Sequence, residues 1–522
     1  MQKISSSFAP KFTLGAKELV SRENLLLLLW LLLVNYSLGY EYKLIYVFSA
    51  LSGFILLKRA SKIAYRCLVL LFMVVGTLYA PVGINYGFPD INVMGSLMYT
   101  NVNEASEFLD NIPVIAWLLS LLVAISGIAA IWSSFYSGKE ESATRGVYLF
   151  LAVFFILSAF WSPFRQGRLL SGGLPEIRFV HDVVASYLAV SDSDQQFSRI
   201  IATGSNWTPE SLPGQHKTYI MVVGESVRRD YVHAFGGQYP NTPWLDSAPA
   251  TLFTNYLSAG PTTVLSLTNT LARREGKSVE LNNNVISLAS RAGFETWWLS
   301  NQGKKGHFDS PVALMGESAD HSVFTKSANS DDRMYSPDDQ LIPMLEEALK
   351  QGHGKKFIVL HLMGSHPQAC VRTQNKYDID VGAREISCYI KSIAMTDQLL
   401  KQVYDAAERE GGDWSMMYFS DHGLSYVNRN TSGAYLTHGD KSRENYEVPF
   451  FILDKNQPER ATITTRRSAL NFLQLFSQWL HVREPGIEET CNLLSAEDCT
   501  PSSQVLNTQG LLGDYAGLPS VK

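Results

Sequence analysis

Histidine is absent from the first 180 residues of this 522-residue chain. The first 163 residues are also poor in charge, with 11 of the 44 Lys and Arg residues and 9 of the 49 Asp and Glu residues. No part of the chain has a large excess of positive charge, which argues against a nucleic-acid-binding protein and predicts no nucleic-acid partner. Because 46% of the residues are hydrophobic, an intrinsically disordered chain is excluded. We therefore expect an apolar front part and a chemically active back part.

The charge-poor front part contains five long apolar runs. They lie at residues 24–40, 44–57, 67–82, 113–132 and 147–162. Apart from the short second run, each is near the length of about 20 residues that spans the hydrocarbon core of a membrane. The alternative, buried helices of a large soluble protein, is disfavoured by five such runs in so short a stretch. The pattern predicts an α-helical membrane domain of five spans over residues 1–163.

Lys and Arg residues fall on alternate loops between these runs. They occur in the N-terminal tail, near 58–66 and near 139–145, whereas the long loop at 83–111 has none. Because basic residues stay on the cytoplasmic side, the N-terminus is predicted to be cytoplasmic and everything after residue 163 to be exported. No small-residue cleavage site follows the first run, so we interpret that run as an uncleaved signal anchor.

A linker at residues 164–216 joins the two parts of the chain. Seven of its apolar residues fall on one helical face: Ile177, Phe179, Val180, Val183, Val184, Tyr187 and Leu188. Such a stripe is typical of an amphipathic helix lying on the membrane surface. Packing onto the exported domain explains the stripe equally well, so both interpretations stay open.

The chain has five cysteines, of which Cys67 lies in an apolar run. The other four are in the exported part, and an even number in an oxidising compartment predicts two disulfides. Nearest-neighbour pairing, Cys370 with Cys388 and Cys491 with Cys499, is the simplest of the three connectivities. There is no C-x-x-C pair, so a zinc ribbon or a thioredoxin-like site has no support.

The back part, residues 217–522, alternates short apolar runs with helical stretches. Strands are predicted at 218–224, 295–300, 357–363, 415–420 and 448–453. Helices are predicted at 264–274, 283–292, 337–350, 387–410 and 466–481. Nearly continuous apolar strands separated by helices indicate an α/β domain whose sheet is covered by helices on both faces.

Polar residues follow several of these strands where ligands of α/β proteins bind, at the carboxyl ends. Glu225 follows the first strand, Asn301 the second, and His366 lies just after the third. The fourth strand runs into Asp421 and His422. Carboxylates and imidazoles that converge at one sheet edge predict a divalent-metal site of the zinc type.

A nucleophile is expected where the loop at 258–263 enters a helix. The free N–H groups and dipole of a helix N-terminus suit an anionic phosphate. A metal in contact with the hydroxyl of Thr262 or Thr263 would lower its pKa and make it an alkoxide. The alternative is that the threonine is merely a helix N-cap.

Five motifs carry a resemblance to a known family. They are V-V-G-E-S-x-R-R-D at 222–230, N-T-P at 241–243, G-P-T-T-V-L-S at 260–266, H-L-M-G-S-H-P at 361–367, and S-D-H-G at 420–423 with a later His438-Gly439. With these motifs, the chain resembles the membrane-bound phosphoethanolamine transferases of the alkaline phosphatase and sulfatase superfamily. The resemblance covers almost the whole chain. The resemblance implies a multi-pass protein of the bacterial inner membrane with a periplasmic alkaline phosphatase/sulfatase-like domain.

The resemblance also implies roles for individual residues. One tightly bound zinc ion would be held by Glu225, Thr263, Asp421 and His422. His366 and His438 would line the pocket as catalytic and substrate-binding residues, at a second zinc ion or in contact with the phosphate. Asn301 and Lys305 resemble the phosphoethanolamine-binding pair of the family. In the loop at 83–111, the candidates for contact with the donor headgroup are Thr100, Asn101 and Glu104.

The implied reaction is ping-pong. Thr263 attacks the phosphorus of phosphatidylethanolamine, diacylglycerol leaves, and an acceptor hydroxyl on an envelope glycan or glycolipid then takes the group. Thr263 is the matched nucleophile because it lies three residues before Ser266, as in the family pattern. Thr262 remains the second candidate.

Departures from the family pattern bear on the acceptor. Relatives that modify lipid A usually have a cysteine pair around the nucleophile, where this chain has Ala259 and Thr268. They commonly have Glu shortly after Asp-His-Gly, where this chain has Leu424. The chain looks more similar to the branch that decorates osmoregulated periplasmic glucans. Lipid A or lipopolysaccharide core as acceptor, and phosphoglycerol transfer, are the alternatives.

Two further classes of protein fit the sequence less well. A sulfatase needs a Cys or Ser in a C/S-x-P-x-R type motif, which the stretch 258–268 does not offer. A transporter or membrane scaffold would leave the polar residues at the strand ends without a role. The apolar runs also lack the ionisable residues that mark transport paths.

Overall fold

The computed structural model describes residues 21–99, 112–136, 145–165, 167, 170–276, 278–304, 310–327, 336–352, 354–410, 412–489, 491–499 and 503–521. The chain folds into two compact units, and among the described residues the second begins at Asp192, directly after Ser191 of the first. This boundary falls inside the predicted linker at 164–216. Most of the helix expected there belongs to the first unit.

Helices make up the first unit, and five of them coincide with the five apolar runs. The helices are α1 (Arg22–Ser37), α2 (Leu44–Ala60), α3 (Lys62–Tyr86), α4 (Ile91–Tyr99), α5 (Val114–Ser133), α6 (Arg145–Arg165, with a π-helical turn) and α7 (Pro175–Ala202). Three of them, α3, α5 and α6, are long and apolar enough to cross a membrane. Helices α1 and α2 have 16 and 17 residues. Five spans therefore remain a prediction, while three are supported by length and composition.

Helix α7 is tied to the end of α1 by polar contacts. Asn35 donates a hydrogen bond to the Glu176 carboxylate at 2.8 Å, and the Tyr40 hydroxyl donates one to Asp182 at 2.8 Å. The predicted apolar stripe of α7 divides into two sets. Ile177, Phe179 and Val183 pack into the apolar core of the first unit, whereas Val180, Val184, Tyr187 and Leu188 are exposed.

Eight strands form the central sheet of the second unit. In chain order they are β1 (Thr218–Gly224), β2 (Thr251–Phe253), β3 (Phe294–Lys304), β4 (His321–Ser327), β5 (Lys355–His361), β6 (Trp414–Ser420), β7 (Phe450–Asp454) and β8 (Ala461–Ile463). Their order across the sheet is β8-β2-β7-β6-β1-β5-β3-β4. The run from β6 to β4 is parallel, whereas β7 is antiparallel to both of its neighbours. The sheet is therefore mixed.

Helices cover both faces of this sheet, as the sequence predicts. Along β1, Tyr219 and Met221 point into one apolar core, and Ile220 and Val222 into the other. The helices of the second unit are α8 (Pro243–Ser247), α9 (Thr263–Leu271), α10 (Val285–Arg291), α11 (Pro311–Glu317), α12 (Leu341–Lys350), α13 (Ala369–Arg372), α14 (Arg384–Arg409) and α15 (Phe472–Trp479). Side chains of α9, α10 and α15 fill the first core, and those of α12 and α14 fill the second.

Short strands outside the central sheet correct two predicted helices. Four pairs are Glu210–Ser211 with Val482–Arg483, Ala272–Glu275 with Ser278–Asn284, Ser425–Val427 with Tyr435–Thr437, and Gln504–Leu506 with Leu512–Asp514, and a three-stranded sheet joins Tyr256–Leu257 to Glu447–Val448 and Arg467–Ser468. The helix predicted at 264–274 ends at Leu271 because the next residues pair as a hairpin. The helix predicted at 466–481 begins only at Phe472, after a strand and a 3₁₀ turn.

Both predicted disulfides are confirmed. Cys370 is bonded to Cys388 and Cys491 to Cys499, with Cα–Cα distances of 4.9 Å and 5.7 Å. Cys67 is free. The first bond joins α13 to the beginning of α14, so it fixes the segment that follows His366.

Candidate active site

The carboxyl ends of two adjacent parallel strands bring the first site residues together. Strands β1 and β6 pair in a register that places Gly224 opposite Ser420. Glu225 and Asp421, the next residues of each strand, therefore leave the sheet side by side. The Asp421 N–H donates to the Gly224 carbonyl at 3.1 Å, and both carboxylates are buried.

Thr263 is the first residue of α9 and lies against these groups. Its hydroxyl donates a hydrogen bond to Glu225 Oε2 at 3.0 Å, and its Oγ1 lies 3.4 Å from His422 Nε2. Thr262 occupies the N-cap position with extended backbone, but its side chain makes no capping hydrogen bond. Of the two candidate nucleophiles, Thr263 is the one whose hydroxyl contacts Glu225 and His422.

The Asp421 carboxylate has one satisfied and one unsatisfied oxygen. Its Oδ1 accepts hydrogen bonds from the backbone N–H groups of Ser226 and His422, at 2.9 Å and 2.8 Å. Its Oδ2 is buried, has no hydrogen-bond partner and lies 3.4 Å from His422 Nε2. A buried carboxylate oxygen without a donor is costly, which makes this atom a candidate metal ligand.

The donor atoms have the chemistry and the spacing of a zinc site. Neighbouring donor pairs among Glu225, Thr263, Asp421 and His422 lie 3.0–3.4 Å apart. Two ligands of one tetrahedral zinc ion, each bound at about 2.0–2.1 Å, are separated by about 3.3 Å. Glu225, His422 and His438 also form a group whose ligand atoms all lie within 4.8 Å of one another. The residues therefore fit a zinc ion.

The electrostatics of the cluster favour a bound cation. Burial alone would raise the pKa of Glu225, but the hydrogen bond and positive charge of His422 hold it well below its usual value. Burial, and then the charge of Glu225, raise the pKa of Asp421. Burial opposes the protonated form of His422, but the charges of Asp421 and Glu225 raise its pKa. The two carboxylates stabilise the protonated, positively charged form of His422. A metal ion would take the place of this positive charge and would bind the neutral ring.

Two more predicted histidines lie in the same cluster. The ring centroid of His438 is 5.0 Å from that of His422 and 5.7 Å from that of His366. Burial, followed by the charges of His422 and His366, lowers the pKa of His438 to about 3, so its ring is neutral at neutral pH. The structure thus brings together six of the predicted residues: Glu225, Thr263, His366, Asp421, His422 and His438. Thr100, Asn101, Glu104 and Lys305 lie outside the described residues.

Asn301 lies in a buried hydrogen-bond network, and its role in binding phosphoethanolamine stays a prediction. Its side chain is buried, with Nδ2 donating to the Ser336 carbonyl and to Asp338, and with Oδ1 accepting from three side chains. All of these hydrogen-bond partners of Asn301 are residues of the chain itself.

The neighbouring residue, Gln302, contacts the cluster directly. Its Nε2 donates to Glu225 Oε2 at 3.1 Å and to the Leu362 carbonyl at 2.9 Å. The register of β3 is irregular between Ser300 and Gly303, so alternation along the strand could not have indicated Gln302 in advance.

Ser226 is the second residue that sequence reasoning missed. It is buried and has a left-handed backbone with φ of 61°, which is rare for a residue other than glycine. Its hydroxyl donates to Glu225 Oε1 at 2.6 Å, while its N–H binds Asp421. Its carbonyl accepts a hydrogen bond from the Tyr389 hydroxyl at 2.7 Å. Ser226 therefore orients both carboxylates of the cluster.

Comparisons with known proteins show the family to which the chain belongs. A sulfatase family model matches residues 217–482. The chain is 34% identical over 478 residues to phosphoethanolamine transferase OpgE of Escherichia coli, covering 90% of each chain. It is 33% identical over 362 residues to a putative phosphoethanolamine transferase of Haemophilus influenzae, covering 67% of this chain and 71% of that protein.

Solved structures have the same fold. Lipooligosaccharide phosphoethanolamine transferase A of Neisseria meningitidis, an integral membrane protein, aligns with a TM-score of 0.54 at 15% identity, over 93% of this chain and 98% of that one. The periplasmic domain of EptC of Escherichia coli, in complex with Zn, aligns with a TM-score of 0.53 at 19% identity, over 60% of this chain and 96% of that one. From the sequence matches and the shared fold, the chain belongs to the phosphoethanolamine transferases with a sulfatase domain.

Proposed function

We propose that this protein is a zinc-dependent enzyme that transfers phosphoethanolamine from phosphatidylethanolamine to an envelope glycan. The reaction proceeds through a covalent phosphoethanolamine–threonine intermediate on Thr263. The observation that carries the proposal is the Thr263 hydroxyl, which lies against Glu225 and His422 at a buried carboxylate cluster. The proposal includes a location in the bacterial inner membrane, with the N-terminus in the cytoplasm and the second unit in the periplasm.

In the first half-reaction, Thr263 Oγ1 bonds to the phosphorus and the bond to the diacylglycerol oxygen breaks. Glu225 orients the hydroxyl by accepting its hydrogen bond. The hydroxyl lies at the N-terminus of α9, where a phosphate is favoured. A zinc ion held by Glu225, Thr263, Asp421 and His422 would lower the hydroxyl pKa and stabilise charge on the phosphoryl oxygens. The proton of Thr263 ends on the diacylglycerol that leaves.

In the second half-reaction, an acceptor hydroxyl bonds to the phosphorus and the bond to Thr263 breaks. The acceptor gives up its proton, and Thr263 regains one as its hydroxyl is restored. We assign that proton transfer to His366 or His438, whose ring centroids lie 5.7 Å apart, with His438 beside His422. The same pair provides nitrogen ligands for a second zinc ion, the alternative that belongs to this proposal.

The acceptor we propose is an osmoregulated periplasmic glucan. The 34% identity to OpgE over 90% of both chains supports this acceptor. So do Ala259, Thr268 and Leu424, which replace the cysteine pair and the Glu that are common in enzymes that modify lipid A. Transfer to lipid A or lipopolysaccharide core is the second candidate, supported by 26% identity over 440 residues to EptA of Helicobacter pylori. Phosphoglycerol transfer would need a different lipid donor.

The test is mass spectrometry of the full-length protein after incubation with phosphatidylethanolamine. A phosphoethanolamine adduct is expected on Thr263, and it should be absent from the Thr263→Ala variant. Thr262→Ala is the matched control and should keep both the adduct and transfer. An adduct on Thr262 would contradict the assignment, and full transfer without any adduct would favour direct displacement by the acceptor.

A further inference from the structure

The segment at residues 503–521, here named the C-terminal strap, lies across loops that carry active-site residues. It begins with the hairpin of Gln504–Leu506 and Leu512–Asp514. Its Val505 and Tyr515 form a small buried apolar cluster with Leu257 and Tyr446, separate from the two cores that cover the central sheet. The strap is therefore a packed element with its own anchor.

One contact of the strap reaches the loop that carries His438. The backbone N–H and the hydroxyl of Thr508 both donate to Asp440 Oδ2, at 2.9 Å and 2.7 Å. Asp440 lies two residues after His438 and is buried, and its other oxygen meets the exposed Lys441 at 2.8 Å. The strap therefore supplies two of the hydrogen bonds that hold this buried carboxylate.

A second contact reaches the loop before the nucleophile. The Leu506 N–H donates to the Ala259 carbonyl at 2.8 Å, four residues before Thr263. The Leu506 carbonyl accepts a hydrogen bond from the Tyr446 hydroxyl at 2.9 Å. Leu506 thus connects the nucleophile loop to the segment that follows His438.

A third contact supports the residue after His422. The hydroxyl of Ser520 and the N–H of Val521 donate to the buried carboxylate of Glu444, at 2.5 Å and 3.0 Å. The backbone of Glu444 lies so close to Gly423 that a Cβ there would overlap the Glu444 carbonyl oxygen. The Gly423 carbonyl in turn accepts a hydrogen bond from His422 Nδ1 at 2.8 Å.

These contacts matter most for His438 because its loop lies outside the central sheet. His438 follows the three-residue strand Tyr435–Thr437, whose partner in the described structure is the equally short strand Ser425–Val427. A hairpin this short is marginal without further contacts. The placement of the His438 ring beside His422 therefore depends on what holds the residues that follow it.

We propose that the C-terminal strap positions His438 for the transfer reaction, with Thr508 as the positioning residue that acts through Asp440. The inference rests on the proposed function, in which His438 lines the site. Thr508 does not touch the reacting atoms. It fixes the carboxylate two residues after His438, so removal of its hydroxyl should loosen the loop without removing any group from the active site.

The test uses Thr508→Val in the full-length protein, which keeps the shape and the backbone N–H but loses the hydroxyl. Turnover with phosphatidylethanolamine should fall about tenfold, which corresponds to about 1.4 kcal/mol. Thr508→Ser should restore it. Leu511→Gln, an exposed position on the same hairpin, is the matched control and should behave like the unsubstituted protein.

A double-mutant cycle separates positioning from general stability. If Thr508 acts through His438, then His438→Ala with Thr508→Val should be no slower than His438→Ala alone. Losses that multiply in the double variant would overturn the proposal. Equal turnover of Thr508→Val and the unsubstituted protein would overturn it as well.

Hydrogen–deuterium exchange gives a readout that does not depend on the substrate. In Thr508→Val the peptide over residues 436–446 should exchange faster, while the strands β1 and β6 should be unchanged. Unchanged exchange in that peptide would overturn the inference even if transfer is observed. Faster exchange in a protein that fails to cleave phosphatidylethanolamine would instead overturn the proposed function alone.

Discussion

The Asp421 carboxylate is oriented so that one of its oxygens is available to bind a cation. One carboxylate oxygen is held by two backbone N–H groups, while the other is buried without a donor beside His422. The two N–H groups fix the orientation of the carboxylate, so the second oxygen cannot turn away to find another partner. Such a group is stabilised when a cation binds, because a buried unsatisfied oxygen costs about 1–3 kcal/mol.

Asp421→Asn should therefore remove the zinc ion while preserving the backbone around it. The amide oxygen can still accept from Ser226 and His422, but the amide nitrogen replaces the unsatisfied carboxylate oxygen. We expect the dialysed variant to hold far less than one zinc per chain by elemental analysis. Asp413→Asn, at the opposite end of β6, is the control and should retain the metal. Stoichiometric zinc in Asp421→Asn would contradict the assigned ligand set.

Alanine substitution should lower turnover at Gln302 and the free energy of unfolding at Asn301. A hydrogen bond to a charged group is worth about 1.5–3 kcal/mol, so Gln302→Ala, which removes a donor to Glu225, should lower turnover by roughly 10- to 100-fold. Asn301→Ala breaks a buried network and should mainly lower the free energy of unfolding. Turnover and thermal unfolding of both variants are the measurements. A stable Asn301→Ala variant with a raised KM for the donor would restore Asn301 as a substrate contact.

At the scale of elements, long apolar strands were predictable and short ones were not. Strands β1 and β6 read as continuous apolar runs that end in Glu225 and Asp421, so both the strand and its functional end could be predicted. The three-residue strands β2 and β8 carry no such pattern, because their existence depends on the neighbours with which they pair. The antiparallel direction of β7 is set by chain connections, which hydrophobic periodicity does not report.

The buried carboxylate of Asp338 holds the loop after β5, and this contact could not be predicted from the sequence. Asp338 accepts hydrogen bonds from Asn301 Nδ2 at 2.7 Å and from the N–H groups of Met363 and Gly364, both at 2.8 Å. It lies at least 25 residues along the chain from each of these partners, so no local spacing connects them. The loop it holds leads directly to His366.

Asp338→Asn should destabilise this loop. Its amide nitrogen must face one of three hydrogen-bond donors, and each buried donor left unsatisfied costs about 1–3 kcal/mol. We expect a lower free energy of unfolding in denaturant titrations and reduced turnover. Asp339→Asn, the adjacent residue on the same 3₁₀ turn, is the control and should be close to neutral. Equal stability of the two variants would show that Asp338 does not hold the loop.

For the whole molecule, the number of spans decides where the α1–α2 connection lies. An odd number of crossings, either three or five, puts the second unit on the side opposite the N-terminus. With the N-terminus in the cytoplasm, as we propose, five crossings place the connection at 38–43 on the exported side, whereas three crossings by α3, α5 and α6 leave it in the cytoplasm. The contacts of the first unit favour five. Tyr40 binds Asp182, which follows α6, and a Cβ at Gly39 would overlap the backbone of Gly87, which follows α3.

Cysteine labelling of this connection distinguishes the two topologies. Tyr42 is exposed, and Cys67 is the free cysteine among the described residues, so Tyr42→Cys in a Cys67→Ser background gives a single reactive thiol there. With five spans, a membrane-impermeant maleimide should label it in cells whose outer membrane alone is permeabilised. The control is Lys62→Cys, which both topologies place in the cytoplasm and which should react only after lysis. Protection of the Tyr42→Cys thiol until lysis would establish three crossings, and α1 and α2 would then not span the membrane.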